Sequence, residues 1–316
     1  MRRNDTALTA GLLLAQVSIA ACHMNAQPAA KPNPLAFIAT GTNGFAFDTG
    51  VLRGKLRADG KSKGLSDVMH IPTGTKLDSS MGLFGHYRVF TANKRYGTGA
   101  WDWPSEAKLQ AGGSVEVRWP AKDDRPFELR ATYGWAAPNA LDVITTVEAK
   151  TNLAKFESFL ASYFSAGFTN SLAYVAESPG KPGFPGFFAA EPSFGTWLAF
   201  PRDDTAMAIF RDGRWTIAPS PVEWVKMPRL AKPLGIRRDS TAGLTAVIMS
   251  PPGDAFAICT PQQTEGHRSM YVSLFGQDLK AGETARARAR LLVGTKLLDV
   301  DALKPYEAYL KELGGK

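Results

Sequence analysis

The heptapeptide Gly113-Ser114-Val115-Glu116-Val117-Arg118-Trp119 alternates apolar and polar residues without a break, and this pattern constrains the chain more than any other. Side chains on a strand point to opposite faces in turn, so Val115, Val117 and Trp119 must share one face and Ser114, Glu116 and Arg118 the other. That is the signature of a sheet with one dry and one wet side. Phe127 to Tyr133 repeats it, and Leu141 to Val147 follows the turn signal Pro138-Asn139. Short apolar or alternating runs at 36–40, 51–56, 87–90, 156–164, 197–200, 206–210, 244–249, 255–259 and 270–275 add further strands, most of them bounded by Gly, Pro, Asn or Asp. Asp212-Gly213, between Ile209-Phe210-Arg211 and Arg214-Trp215-Thr216-Ile217, predicts a tight hairpin. In Thr284 to Val293 three arginines, Arg286, Arg288 and Arg290, alternate with alanines, which gives a strand with one cationic face, either solvated or anion-binding.

Only one helix is predicted, over 301–313. Leu303, Tyr306, Leu310 and Leu313 fall at helical spacing, Pro305 suits the first turn, and Gly314-Gly315 ends it. More than a dozen strands with a single helix exclude a doubly wound parallel sheet. They predict an all-β fold, a large two-sheet antiparallel β-sandwich with a short C-terminal helix. No linker interrupts residues 35–316, which are expected to form one domain.

The N-terminus has a different character. A short basic start, an apolar stretch from Ala7 to Ala21 and small residues at the exit predict a signal peptide over 1–21. Ile19-Ala20-Ala21-Cys22 resembles a bacterial lipobox, so Cys22 is expected to carry a lipid anchor; ordinary cleavage near Ala26 is the alternative. Residues 22–34, rich in Pro, Ala, Lys and Asn, read as a tether. Together these predict an exported protein of the cell envelope or the medium, touching membrane only through its anchor. Export and scattered basic residues, for all the net charge of +8, argue against nucleic acid as partner. The second cysteine, Cys259, sits in an apolar strand and reads as a buried small hydrophobe.

The chemistry-bearing residues gather between 67 and 104. His70, His86, Arg88, Arg95, Tyr96, Trp101 and Trp103 lie here, in part on a Gly-rich loop. Flat rings such as Trp101 and Trp103 offer an apolar surface to the C–H face of a sugar, or alternatively plug one end of the sandwich. Arg88 and Arg95 would hold a uronate or sulfate. His70, His86, Tyr96 and, further on, His267 are the candidate proton-transfer groups. Alternation places His86 and Arg88 on one side of their strand. Were His70, His86 and His267 to converge they could hold zinc, although their spacing carries no metal signature; no metal and no cofactor are expected. Glu177 and Glu191, flanking a Gly/Pro/Phe loop, form a candidate carboxylate pair.

Three stretches carry a resemblance to a known group: Leu141 to Glu148 running into Lys150-Thr151-Asn152, then Phe156 to Phe164, then Tyr271 to Val293 with its turn Gln277 to Glu283. In these the chain resembles the galactose-mutarotase-like β-sandwich superfamily, which includes sugar epimerases and domains of glycosidases and polysaccharide lyases. The resemblance implies a carbohydrate partner and a hydrolase, lyase or epimerase acting on it, here on a glycan with acidic groups. No residue of this chain matches that group's catalytic carboxylate. A non-catalytic glycan-binding or structural envelope lipoprotein is the alternative.

Overall fold

The computed structural model describes residues 35–41, 44–58, 64–92, 94–178 and 180–314, so the expected signal peptide, lipobox and tether lie outside the described residues. Residues 33–316 form one compact unit.

Two large sheets make the sandwich. The nine-stranded sheet runs in spatial order Gly186–Ala189, Asn170–Val175, Leu230–Asp239, Leu244–Met249, Thr284–Thr295, Ala140–Ala149, Phe127–Ala137, Val115–Trp119 and Glu106–Leu109. The seven-stranded sheet runs Val225–Lys226, Trp197–Pro201, Ala255–Pro261, Ser269–Leu279, Leu153–Tyr163, Gly85–Thr91 and Lys94–Arg95. Pairing is antiparallel throughout these two sheets except between Trp197–Pro201 and Val225–Lys226. A third sheet of five short strands, from Ile38–Ala39 to Thr75–Lys76, packs Phe37 and Phe47 against Trp135.

The alternation read from the sequence sets the core. Val115, Val117 and Trp119 are buried with Leu129, Val143 and Val147 on the inner face of the nine-stranded sheet, facing Leu160, Val272 and Leu274 of the other. Polar groups also cross this core. His86 is fully buried between the sheets, with Nε2 2.8 Å from Thr145 Oγ1 and its ring against Trp119. Tyr133 donates across to the Phe84 carbonyl at 2.9 Å.

The seven-stranded sheet is buried on its outer face as well, because the segment 202–227 lies over it. This corrects the expected hairpin at Asp212-Gly213. Ala206 to Phe210 belong to a helix, α1 (Asp204–Phe210), capped by Asp203, whose carboxylate accepts from the Ala206 N–H at 2.8 Å. Ala206, Met207 and Phe210 recur at helical spacing and bury one stripe on the sheet. Gly213 takes a left-handed φ of 93° that leads into a 3-10 turn, so the Asp-Gly pair ends a helix rather than joining two strands. Beneath it Arg214, wholly buried, donates to Glu157 at 3.0 Å, to Asp212 at 2.8 Å and to the Lys155 carbonyl at 2.9 Å.

The C-terminal helix α2 (Leu303–Gly314) forms where expected and packs Tyr306 and Tyr309 on Ile236, Val247 and Met249, the outer face of the nine-stranded sheet. The arginine strand alternates as read, with Ala285, Ala287 and Ala289 inward. Two of its three arginines are compensated within the fold: Arg288 pairs with Asp254 at 2.6 Å, and Arg290 with Asp142 at 2.6 Å and Glu312 at 2.8 Å, while Arg286 is exposed. Cys259 is fully buried and free.

Two outcomes follow. Removing Arg214 strands a buried carboxylate, so Arg214→Met lowers unfolding free energy by about 3–5 kcal/mol in denaturant titration, and adding Glu157→Gln recovers part of the loss. Burial pushes His86 from 6.5 down to about 3. Between these values the unfolded chain takes up a proton that the folded chain refuses, so His86 makes stability fall as pH drops through that window. A His86→Gln variant shows a shallower fall in melting temperature between pH 7 and pH 4 than the parent.

Candidate functional site

The site originates in a bulge. Ser158 pairs with Val89 and Leu160 with His86, which leaves Phe159 alone opposite two residues, Tyr87 and Arg88. The extra residue breaks the alternation, so Arg88 no longer follows His86 to the inner face. Instead Tyr87 and Arg88 both join the outward side chains of the neighbouring strands, Phe159, Tyr163 and Tyr271, at the floor of an open cavity of about 290 Å³. Trp197, Trp224, His267 and the segment Ser220 to Val222 complete its walls.

Arg88 sits 3% exposed in this floor with Trp215 and Tyr87 against its guanidinium, at 4.9 and 5.1 Å. Its Nη2 donates to the Ser220 carbonyl at 2.7 Å, whereas Nε and Nη1 have no partner among the described residues. No carboxylate pairs with it among the described residues. A buried guanidinium held by one carbonyl is costly and favours an anion beside it.

His267 stands at the rim, more than half exposed. Its Nδ1 lies 2.7 Å from Glu265 Oε1, while the same carboxylate accepts the His267 backbone N–H at 2.8 Å. This two-residue turn fixes the ring with Trp197 and Tyr163 alongside, at 5.6 and 6.3 Å, and leaves Nε2 without a partner among the described residues. Burial drives both phenols in the opposite sense from a base: Tyr271 is pushed up to about 12, and Tyr163 is raised well above 10 by burial and then by Tyr271. Both therefore keep their protons at neutral pH and act as donors.

Of the residues predicted from sequence, Arg88 and His267 meet in this cavity. Trp101 backs it, stacked on Tyr87 at 4.0 Å. Arg95 supports its wall from behind, donating to the carbonyls of Ile217 and Pro219 and, at 2.6 Å, to that of Thr98. Burial and then the nearby Arg88 charge lower the Arg95 pKa. The others lie elsewhere. His86, expected beside Arg88, is turned into the inter-sheet core by the bulge. His70 ends a strand of the small sheet with Nδ1 2.9 Å from Thr73 Oγ1. Tyr96 and Trp103 line a separate cavity, where Tyr96 meets Phe127 edge-on and Trp103 lies under Arg125 at 4.0 Å. The three histidines thus do not converge, and no metal-binding group occurs among the described residues. Glu177 and Glu191 are exposed, and neither lines the cavity.

Sequence reasoning missed Tyr87, Tyr163, Trp197, Trp224 and Tyr271. Tyr163 and Tyr271 fall on runs read as strands, at the same phase as Phe159, so period two could have placed them on one face. Nothing local distinguishes that face as the one with a cavity.

No family model matches the chain, and no curated protein matches it in sequence. Among solved structures it is similar to the Slr1438 protein of Synechocystis sp. PCC 6803, at 13% identity and a TM-score of 0.51, over 79% of this chain and 94% of that one. A galactose mutarotase-like protein from Clostridium acetobutylicum matches at 12% identity and 0.46, over 80% and 95%, and a putative aldose 1-epimerase from Escherichia coli K12 at 9% and 0.42, over 83% and 99%. The likeness is distant and is one of fold alone, a large β-sandwich.

Proposed function

We propose that the cavity over Tyr87 and Arg88 binds an acidic sugar and that the protein is a carbohydrate-active enzyme cleaving uronate-containing glycans by β-elimination. The observation that carries this is the unpaired, buried Arg88 in an aromatic-walled cavity with a carboxylate-held histidine at its rim. Trp197 and Tyr163 supply apolar faces for a pyranose. Arg88 neutralises the uronate carboxylate, which makes the adjacent C5–H acidic. His267, oriented by Glu265, accepts that proton through Nε2. The C5 electron pair forms the C4=C5 double bond as the C4–O bond breaks, and a phenol, Tyr163 or Tyr271, returns a proton to the leaving oxygen. Hydrolysis by a carboxylate pair is disfavoured, since no carboxylate lines the cavity.

The N-terminal segment supports a second element of the reading: export through residues 1–21 and lipidation at Cys22. Cys22→Ser in the native host moves the protein from the detergent phase to the aqueous phase on detergent partitioning; an unchanged distribution rejects the anchor.

Incubation with polyuronates, followed by the absorbance of the unsaturated uronate, tests the activity. His267 is exposed, so His267→Ala leaves the fold intact and lowers turnover by about 100-fold or more. Binding without any unsaturated product, equal in parent and variant, assigns the protein to the non-catalytic glycan-binding class instead.

A further inference from the structure

Resting on the acidic-sugar reading of the Arg88 cavity, we infer that this cavity is one end of a longer groove with a second anion subsite around Lys94, Arg95, Lys122 and Arg125, so that the ligand is an extended acidic polysaccharide engaged at several residues. Three neighbouring cavities share lining residues across this face. The first shares Tyr87 and Ser220 with a shallow middle one of about 300 Å³. The middle one in turn shares Arg95, Thr98 and Asp102 with a third of about 560 Å³. The Tyr87–Trp101 stack lies along this row of cavities and is an aromatic surface midway.

Charge distinguishes the far end. Of the buried arginines, Arg214 and Arg290 have carboxylate partners, whereas Arg237, away from this groove, is held by Thr260 Oγ1 and the Ser269 carbonyl. Arg88, Arg95 and Arg125 donate to carbonyls and form no salt bridge among the described residues, where each also keeps a buried Nε without a partner. These three line the same row of cavities. Three buried guanidinium groups beside one groove, none with a carboxylate partner among the described residues, suit a ligand that brings several negative charges. Exposed Lys94 and Lys122 add to the far end, against Asp102 and Asp124. Four cations with two carboxylates interspersed suit a chain bearing both carboxylates and hydroxyls, because Asp oxygens accept from hydroxyl groups. A DNA backbone offers phosphates but no hydroxyl donors to these two carboxylates.

The test uses the full chain carrying His267→Ala, so that no ligand is consumed, with calorimetric titration of galacturonic acid and of its oligomers up to the hexamer. Affinity is expected to rise by about tenfold or more from monosaccharide to hexamer at low salt, and the rise should shrink at high salt. Lys94→Glu with Lys122→Glu, both exposed and remote from the first cavity's lining, brings hexamer affinity down by about tenfold, with monosaccharide titration as the control for the fold. Equal affinity at all lengths, or a length effect that survives the charge reversals, overturns the second subsite while leaving the first intact. Failure of the monosaccharide and the hexamer alike overturns the acidic-sugar reading itself, and this inference with it. A hexadeoxynucleotide that competes as strongly as the hexamer overturns the assignment to polysaccharide.

Discussion

The ion pair between Glu157 and Arg214 holds together the two parts from which the candidate site is built. Glu157 points outward from the central strand Leu153–Tyr163, and Arg214 belongs to the segment that covers that face. Both are fully buried, so each charge depends on the other. Burial alone raises the Glu157 pKa, and Arg214 opposes that rise. Asp212 and the Lys155 carbonyl use further guanidinium donors. With Arg214 fixed, Trp215 is set against Phe90 and Phe159, and the chain beyond it returns to form the Ser220–Val222 wall.

Two further arginines hold that wall from the other side. Arg88 and Arg95 together take the carbonyls of Ile217, Pro219 and Ser220. The covering segment is thus fixed mostly by charged donors on backbone acceptors, which are directional and strong when dry. The arrangement has a chemical consequence. Arginines that bind carbonyls keep their full charge, whereas those bound to carboxylates, such as Arg290 between Asp142 and Glu312, are neutralised where they stand. The first kind attracts anions; the second is a structural fastening. Both kinds occur in this fold.

How much of this was legible follows from the range of the signals. Period two along Val115, Val117 and Trp119 and period 3.6 along Leu303, Tyr306, Leu310 and Leu313 are set by the local geometry of strand and helix, and the structure follows both. The buried Cys259 and the alternating arginine strand belong to the same class. Two local readings failed for a physical reason each. Asp212-Gly213 supplies the left-handed residue that a hairpin needs, yet the same residue also ends a helix, and the Asp203 cap decided between them. His86 and Arg88 share a face in a regular strand, but a bulge is made by the pairing partner's register.

By itself, then, the sequence determined an all-β sandwich with a C-terminal helix and supplied Arg88 and His267 as candidates, because alternation, capping and residue chemistry act over a few residues. The tertiary structure alone decided that these two meet. It also decided that Tyr163, Trp197 and Tyr271 surround them, that His86 faces the core, and that Arg88, Arg95 and Arg125 form no salt bridge among the described residues. Each of these depends on which distant strands pair and on what covers the outer face of a sheet, and neither is written in any local pattern.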